Sequence, residues 1–303
     1  MRLTKILAAA AFLCAGGAQA QIDLARGGPV NTLSPNPNPL MYVSQNLARN
    51  LTSTYRYLDD LYSLSASSPA RLSLVPDPLG SGRNVLLHNL NKTDPLVSGG
   101  SRTEVSLKYE YVIEGVRWYA VSMMFPADWQ FHASPTVVAQ LHTSQKTLAV
   151  PPPVSMVASG QDLNIELHYN YRNMSGQGTD PATRANTGEQ LVRAAKIETN
   201  KWYCFVVRAE WSYKPGLGSM QIWMNGNIAY EASNVYNAYE TWLGNYPKVG
   251  LYLPGVMQVA TRNLYTDFIH VGGASSTYDM MAALTPCGVN AAATSSVIKQ
   301  GVL

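Results

Sequence analysis

Strict alternation of apolar and polar side chains is what most limits the folds open to this chain. Across Glu104 to Val112, the side chains of Val105, Leu107, Tyr109 and Tyr111 alternate with Glu104, Ser106, Lys108 and Glu110. A repeat of two sends successive side chains to opposite sides of an extended backbone, so one side can be buried while the other stays polar. Comparable runs occur at Trp118 to Phe125, Thr136 to His142, Leu163 to Tyr171, Trp202 to Trp211, Met220 to Met224, Lys248 to Leu253 and Tyr265 to Val271. Gly, Pro, Asn and Ser clusters separate them, as turns separate strands. Many strands and few helices predict an all-β fold. The chain has neither an internal repeat nor a linker, and single all-β domains of about 200 to 250 residues are routine, so one sandwich of two curved antiparallel sheets is expected.

The chain opens with Arg2 and Lys5, an apolar run from Ile6 to Leu13, and Ala18-Gln19-Ala20. That is the layout of a secretory leader, which assigns residues 1–20 to a signal peptide and predicts a secreted or periplasmic protein. Cys14 follows the bulky Leu13, where a lipidation signal would carry a small residue. Later apolar stretches are too interrupted to span a bilayer, so no membrane partner is expected. Residues 21–40 read as a flexible N-terminal segment because Gly27 to Pro39 is rich in Gly, Pro, Asn and Ser. Residues 41–290 form the expected single domain and 291–303 a C-terminal tail. Within the domain, Leu47, Leu51, Tyr55, Leu58 and Leu61 are spaced for an amphipathic helix over Tyr42 to Leu64. Met174 to Leu191 reads as a long loop over one face.

The formal charge of +3 falls to +1 once a leader carrying Arg2, Lys5 and no acid is removed. The Lys and Arg residues form no runs and no nucleic-acid motif is present, which argues against nucleic acid as a partner. A local basic groove can still hold a polyanion, because clefts focus potential in a way net charge does not report. A monomer is expected. After the leader, Cys204 and Cys287 are the remaining cysteines. An oxidising compartment permits them to pair, and two buried free thiols fit the sequence equally well, since the Cα separation decides.

Three short motifs carry the chemistry: Ser101-Arg102-Thr103-Glu104-Val105, Gln140-Leu141-His142 and Tyr246-Pro247-Lys248-Val249-Gly250-Leu251-Tyr252. Each lies in an alternating segment, so Arg102 shares a face with Glu104, Gln140 with His142, and Tyr246 with Lys248 and Tyr252. A cation, an amide, an imidazole and a phenol gathered on one surface suit proton removal beside a carboxylate, where the acid's charge must be neutralised. In a 4-linked uronic acid the C5 proton has that position. The planar cationic fork of Arg102 matches a carboxylate and Gln140 adds a hydrogen bond. His142, with an ordinary pKa of about 6.5, is the natural base. Tyr252 protonates the departing 4-oxygen, or takes the C5 proton itself if ionised. Gly250 leaves a gap on Tyr252's face into which a sugar ring fits. Taken singly, each of these residues reads more readily as surface or packing; their ordered co-occurrence points to catalysis.

The three motifs resemble the signature strands of alginate-lyase-like jelly rolls, usually Arg-Ser/Thr-Glu, Gln-Ile/Val-His and Tyr-Phe-Lys-x-Gly-x-Tyr. The wider context, Phe125-Pro126-Ala127-Asp128-Trp129, Ile222-Trp223-Met224-Asn225-Gly226 and Tyr265-Thr266-Asp267-Phe268-Ile269-His270, resembles the heparin lyase I and glucuronan lyase type. The resemblance spans roughly Arg83 to Gly272. It implies a β-jelly roll with a concave substrate groove and cleavage of an acidic polysaccharide by β-elimination. Arg102 and Gln140 then neutralise charge, and His142 and Tyr252 serve as base and acid. Glu104, Tyr246 and Lys248 are further candidate substrate contacts, and His168, on the polar side of an alternating strand with Asn164, Glu166 and Asn170, either lines the same cleft as a fourth or faces water. Two departures matter: Val105-Ser106 stands where alginate lyases usually have Leu-Arg, and Pro247 replaces an aromatic. A second gripping arginine is thus absent, which leaves glucuronan or another glucuronate-containing chain as open as alginate.

No pair among His88, His132 and His270 has ligand spacing with an acid or cysteine, so no catalytic metal and no cofactor is expected, although loop oxygens leave room for a structural calcium. Two other functions compete. A non-catalytic carbohydrate-binding jelly roll would use Trp118, Trp129, Trp202 and Trp223 in its groove. A glycoside hydrolase would need two carboxylates facing the cleft, whereas Asp162 and Glu166 lie four apart and Glu210 stands alone.

Overall fold

The computed structural model describes residues 22–23, 29–30, 55–57, 62–107, 112–144, 150–170, 187–214, 216–239 and 244–288. Near the start, β1 (Ile22–Asp23) pairs with β2 (Pro29–Val30). One antiparallel sheet reads, edge to edge, β12 (Thr187–Lys196), β11 (Asp162–Asn170), β10 (Val154–Ser159), β9 (Thr136–Thr143), β16 (Asn245–Pro254), β7 (Gly100–Leu107), β4 (Tyr62–Ala66) and β3 (Tyr55–Tyr57). The other reads β15 (Asn227–Val235), β14 (Gly218–Met224), β13 (Trp202–Trp211), β8 (Gly115–Met124), β17 (Thr261–Thr266), β6 (Asn84–Asn91) and β5 (Leu72–Pro76), with β18 (His270–Gly272) paired to β8. The chain crosses between sheets from β4 to β5, from β6 through β7 and β8 to β9, from β12 to β13, and from β15 through β16 to β17. These crossings make the fold an all-β jelly roll. They also set β9, β16 and β7, distant in sequence, side by side in one sheet.

Alternation explains the layering. The odd-numbered residues Val105 and Leu107 of β7, Val249 and Leu251 of β16, and Leu141 of β9 turn inward and join the main core. Opposite them stand Tyr119, Val121 and Met123 of β8, Phe205 and Val207 of β13, and Leu86 and Leu90 of β6. Burying each such side chain contributes about 1.5–3 kcal/mol, so the core dictates which face of β7, β9 and β16 is left for polar residues. Strand β8 is apolar on its other face as well. There Trp118 and Ala120 pack with Met281 of the helix α1 (Tyr278–Leu284), whose N-cap Thr277 accepts from the Met280 amide. Among the described residues no helix is long and apolar enough to cross a membrane.

The strand bounds of Trp202 to Trp211 agree with the alternation, but three expectations need correction. The part of Tyr42 to Leu64 that is described is extended, not helical: β3 and β4 pair with each other, and β4 with β7. Leu64 enters the core while Ser63 pairs with Ser106 on the other face, so the sheet overrides a weak helical spacing. Residues 187–191, expected in a loop, belong to β12, which pairs with β11 along its length. Tyr265 to Val271 is broken into β17 and β18. The leader, most of the entry segment and the C-terminal tail lie outside the described residues.

Cys204 of β13 and Cys287 are disulfide-bonded with a Cα separation of 6.2 Å, inside the range a bridge requires. The bond resolves the choice the sequence leaves open, and it ties the end of the chain beyond α1 to a central strand. It closes a loop of 83 residues of sequence separation. In Cys287→Ser the free energy of unfolding should therefore fall by about 2–4 kcal/mol, read from urea denaturation in non-reducing buffer; an unchanged midpoint would show that the bridge constrains nothing.

Candidate active site

Three neighbouring strands assemble one polar surface. With Val105 and Leu107 inward, β7 presents Arg102, Glu104 and Ser106 outward; β9 presents Gln140 and His142, and β16 presents Tyr246, Lys248 and Tyr252. The register fixes their order. Lys248 lies between Gln140 and Ser106, Tyr246 lies opposite His142, Gly250 opposite Glu104, and Tyr252 opposite Arg102. Arg102, Glu104, Gln140, His142, Tyr246, Lys248 and Tyr252 thus share one face of one sheet, as the sequence predicts.

Glu104 is the centre of this surface. It is 2% exposed, and its carboxylate accepts hydrogen bonds from the Gln140 amide, from Lys248 Nζ at 2.8 Å and from Arg102 Nη1 at 3.3 Å. Burial by itself would push the carboxyl pKa up. The Lys248 ammonium, the Arg102 guanidinium and the hydrogen bonds from Lys248 and Gln140 outweigh it and hold the group below the usual carboxylate range. Arg102 also lies over the Tyr252 ring, with its guanidinium carbon 4.1 Å from the ring centroid. Sequence reasoning counts Glu104 as a substrate contact and aims the Gln140 amide at the substrate. In the fold both Glu104 oxygens are engaged by neighbouring side chains, and one Gln140 N–H is donated to Glu104 while Gln140 Oε1 is buried with no partner among the described residues.

His142 is set beside this cluster. Its Nδ1 lies 2.6 Å from the Thr143 carbonyl oxygen. A carbonyl only accepts, so Nδ1 carries the proton and Nε2 keeps its lone pair. Burial first, and then the Lys248 ammonium, push the imidazole pKa down to about 4, against the opposing pull of the Thr143 carbonyl and Glu104. The imidazole is therefore neutral near pH 7. Its aromatic neighbour is Tyr246, with ring centroids 5.4 Å apart. Tyr252 pairs with Val137, farther along β9, so His142 and Tyr252 flank the Glu104 cluster from its two ends.

His168 is on the same face but on β11, two strands beyond β9, roughly 10 Å away at ordinary strand spacing. It bonds the Pro152 carbonyl at 3.1 Å, and burial lowers its pKa while Glu189 opposes the shift. Gly250 corrects an expectation. At φ 129° an added Cβ would collide with the Thr103 carbonyl oxygen and come within 2.7 Å of His88 Nδ1 and 2.8 Å of Glu104 Cα. The missing side chain makes room on the core side, where β16 bulges, and not on the outer face that the sequence suggests. Sequence reasoning also missed the Ser63–Ser106 hydroxyl pair, 2.6 Å apart beside Lys248 in register. The in-phase serines of β4 and β7 were the available signal.

The tryptophans lie elsewhere. Trp118 stacks on Trp223 behind β8, Trp129 packs on Phe125, and Trp202 donates to Asp77. Asp162 is taken up by Lys196 and Arg193, and Glu210 belongs to the other sheet, so neither joins the cluster. Among the described residues no three His, Cys, Asp or Glu side chains gather as a metal site would require.

Comparison with known proteins follows the same line. The polysaccharide lyase family model matches residues 51–270. No curated protein matches the sequence. Among solved structures, the endo-β-1,4-glucuronan lyase of the fungus Trichoderma reesei is similar at 18% identity and a TM-score of 0.55, covering 75% of this chain and 92% of that one. An alginate lyase of polysaccharide lyase family 7 is similar at 16% identity and a TM-score of 0.45, covering 66% of this chain and 82% of that one. With the family model spanning most of the jelly roll and all three motif strands, the chain belongs to the polysaccharide lyase family.

Proposed function

We propose that this lyase cleaves a uronic-acid-containing polysaccharide by β-elimination, acting after export on an acidic chain. The observation that carries the reading is the charge balance of the buried cluster. Two cations, Arg102 and Lys248, share one carboxylate, Glu104, beside a neutral imidazole. One positive charge is left over, matching one substrate carboxylate. In this scheme His142 Nε2 takes the C5 proton and the electron pair shifts toward the substrate carboxylate. Arg102 and the second N–H of Gln140 stabilise the enolate-like charge. The C4–O4 bond then breaks, Tyr252 gives its phenolic proton to O4, and a C4–C5 double bond remains at the new end. Glu104 holds the donors in place from beneath, while Lys248, Tyr246 and, farther along the face, His168 contact the sugars.

The 5.4 Å between His142 and Tyr246 favours a second assignment of the acid. If Tyr246 donates the proton, Tyr246→Phe loses turnover and Tyr252→Phe keeps it; the main scheme requires the reverse. A screen against alginate, glucuronan, heparin and related chains, followed by ultraviolet absorbance of the unsaturated product, tests the reaction itself. On the polymer that is cut, His142→Ala and Tyr252→Phe should each lower kcat by about 10²–10⁴-fold with circular dichroism unchanged, and full activity in either would overturn its role.

The pH dependence has a definite sign. The folded pKa of His142 lies below its ordinary value, so the base form persists as pH falls and is lost only near pH 4. The acid limb of kcat/KM should fall near pH 4; a limb near 6.5 would mean that another group, or an exposed imidazole, sets the rate. Glu104→Gln leaves buried Lys248 and half-buried Arg102 without their shared counter-charge and should destabilise the fold by about 3–5 kcal/mol in urea denaturation. Adding Lys248→Met should recover part of that loss, and strictly additive effects would show that the pair is not coupled.

A further inference from the structure

Among the described residues, a buried imidazole inside the sandwich takes no part in the elimination. His88 of β6 is fully buried between the sheets, where Leu86 and Leu90 on the same strand join the apolar core. Its Nδ1 is 2.9 Å from the Thr103 carbonyl oxygen and its Nε2 is 2.9 Å from Thr266 Oγ1. Because the carbonyl only accepts, Nδ1 is the donor, and Nε2 accepts the Thr266 hydroxyl proton. Burial pushes the imidazole pKa down to about 4, which keeps the ring neutral. A histidine satisfied in this way usually serves packing alone. What ties His88 to the site is the identity of the atoms it meets.

Thr103 lies between Arg102 and Glu104, with its carbonyl at the head of the peptide that leads into Glu104. The same imidazole occupies the space that a side chain on Gly250 would enter. At that point β16 slips against β9: Val249 pairs with Ala139 but Tyr252 with Val137, so Gly250 and Leu251 together face Val138. The bulge sets how far along β9 Tyr252 stands from His142. A leucine in place of His88 could fill volume but offers no donor to the Thr103 carbonyl.

We propose that His88 is a positioning residue: from the core side it holds the Thr103 peptide and backs the Gly250 bulge, thereby fixing Arg102, Glu104 and Tyr252 relative to His142. The proposal rests on the elimination reading. It predicts that geometry, more than substrate affinity, is lost when the Nδ1 donor is removed, because misplacement of reacting groups is felt mainly in turnover.

The test compares three variants on a polymer that the wild type cuts. An asparagine places its amide nitrogen where Nδ1 stands and can still donate to Thr103; a glutamine places it one bond farther, toward Thr266; a leucine donates nowhere. His88→Leu and His88→Gln should lower kcat by at least about tenfold with KM changed less than about threefold, while His88→Asn stays within about threefold of wild type. Ile222→Ala, a core truncation in β14, four strands from β6 in the same sheet, controls for lost stability and should keep its kcat below its melting point. Wild-type turnover in His88→Leu, or equal losses in the asparagine and glutamine variants, would overturn the role. Should the leucine variant not fold, the asparagine and glutamine pair decides. A wild type that eliminates no uronate polymer would overturn the reading beneath the proposal, whereas an active wild type with an indifferent His88 overturns only the proposal.

Discussion

A carboxylate taken out of water at Glu104 is the constraint around which the site is organised. Removing an ion from water costs several kcal/mol and is offset only when its partners are close and well aligned. Glu104 obtains those partners from three different strands: Arg102 from its own strand, Gln140 from β9 and Lys248 from β16. Gln140 and Lys248 need the β9–β16–β7 order, and that order exists only because the jelly roll crosses between sheets before returning. The fold and the polar cluster therefore specify each other. A slip of one residue in β7 would send Glu104 into the apolar core and Val105 onto the surface, which the burial of Val105, Leu107 and Leu251 forbids.

The same arrangement accounts for the state of His142. A base that is buried beside an ammonium is a weak one, since both influences disfavour its protonated form. Under the proposed reaction, that weakness is matched to the moment of proton transfer. Substrate brings its own carboxylate, which compensates the surplus positive charge and makes an imidazolium less costly beside Lys248. In that scheme the site gains basicity when an anionic sugar is bound and holds a neutral imidazole when it is not.

Alternation made much of the fold legible, because it reports a local property: which side of a strand faces the core. The bounds of β13, the in-phase pairs Arg102 with Glu104 and Gln140 with His142, and the joint face of the three motifs all follow from it. Features set by tertiary context were hidden. Leu58 and Leu61 suggest a helix by spacing, yet β4 is held extended by its pairing with β7. The tryptophans look like sugar platforms in the sequence, but Trp118 and Trp223 are covered by α1 and Trp129 lies beneath Arg262. Gly250 looks like a vacancy beside Tyr252, and the conformation that explains it, φ 129° against the Thr103 carbonyl, has no signature in sequence. Glu104 was legible as a site residue, while its place beneath the others required the register of three strands.

Ser106 bears on how the proposed site reads its substrate. It occupies the outward position two residues beyond Glu104, opposite Lys248, where an arginine would stand in the alginate-lyase-like pattern. Its hydroxyl instead pairs with that of Ser63. An arginine there would bring a third cation beside Lys248, with Glu104 already shared between two, and the cluster would carry two uncompensated positive charges. Such a surface suits successive carboxylates. Under the proposed reaction, the cluster with serine balances a single carboxylate at the reacting sugar, and contact with neighbouring units is left to Lys248, Tyr246 and His168. In that scheme the demand for negative charge is concentrated where the proton is removed, which is where it lowers the barrier.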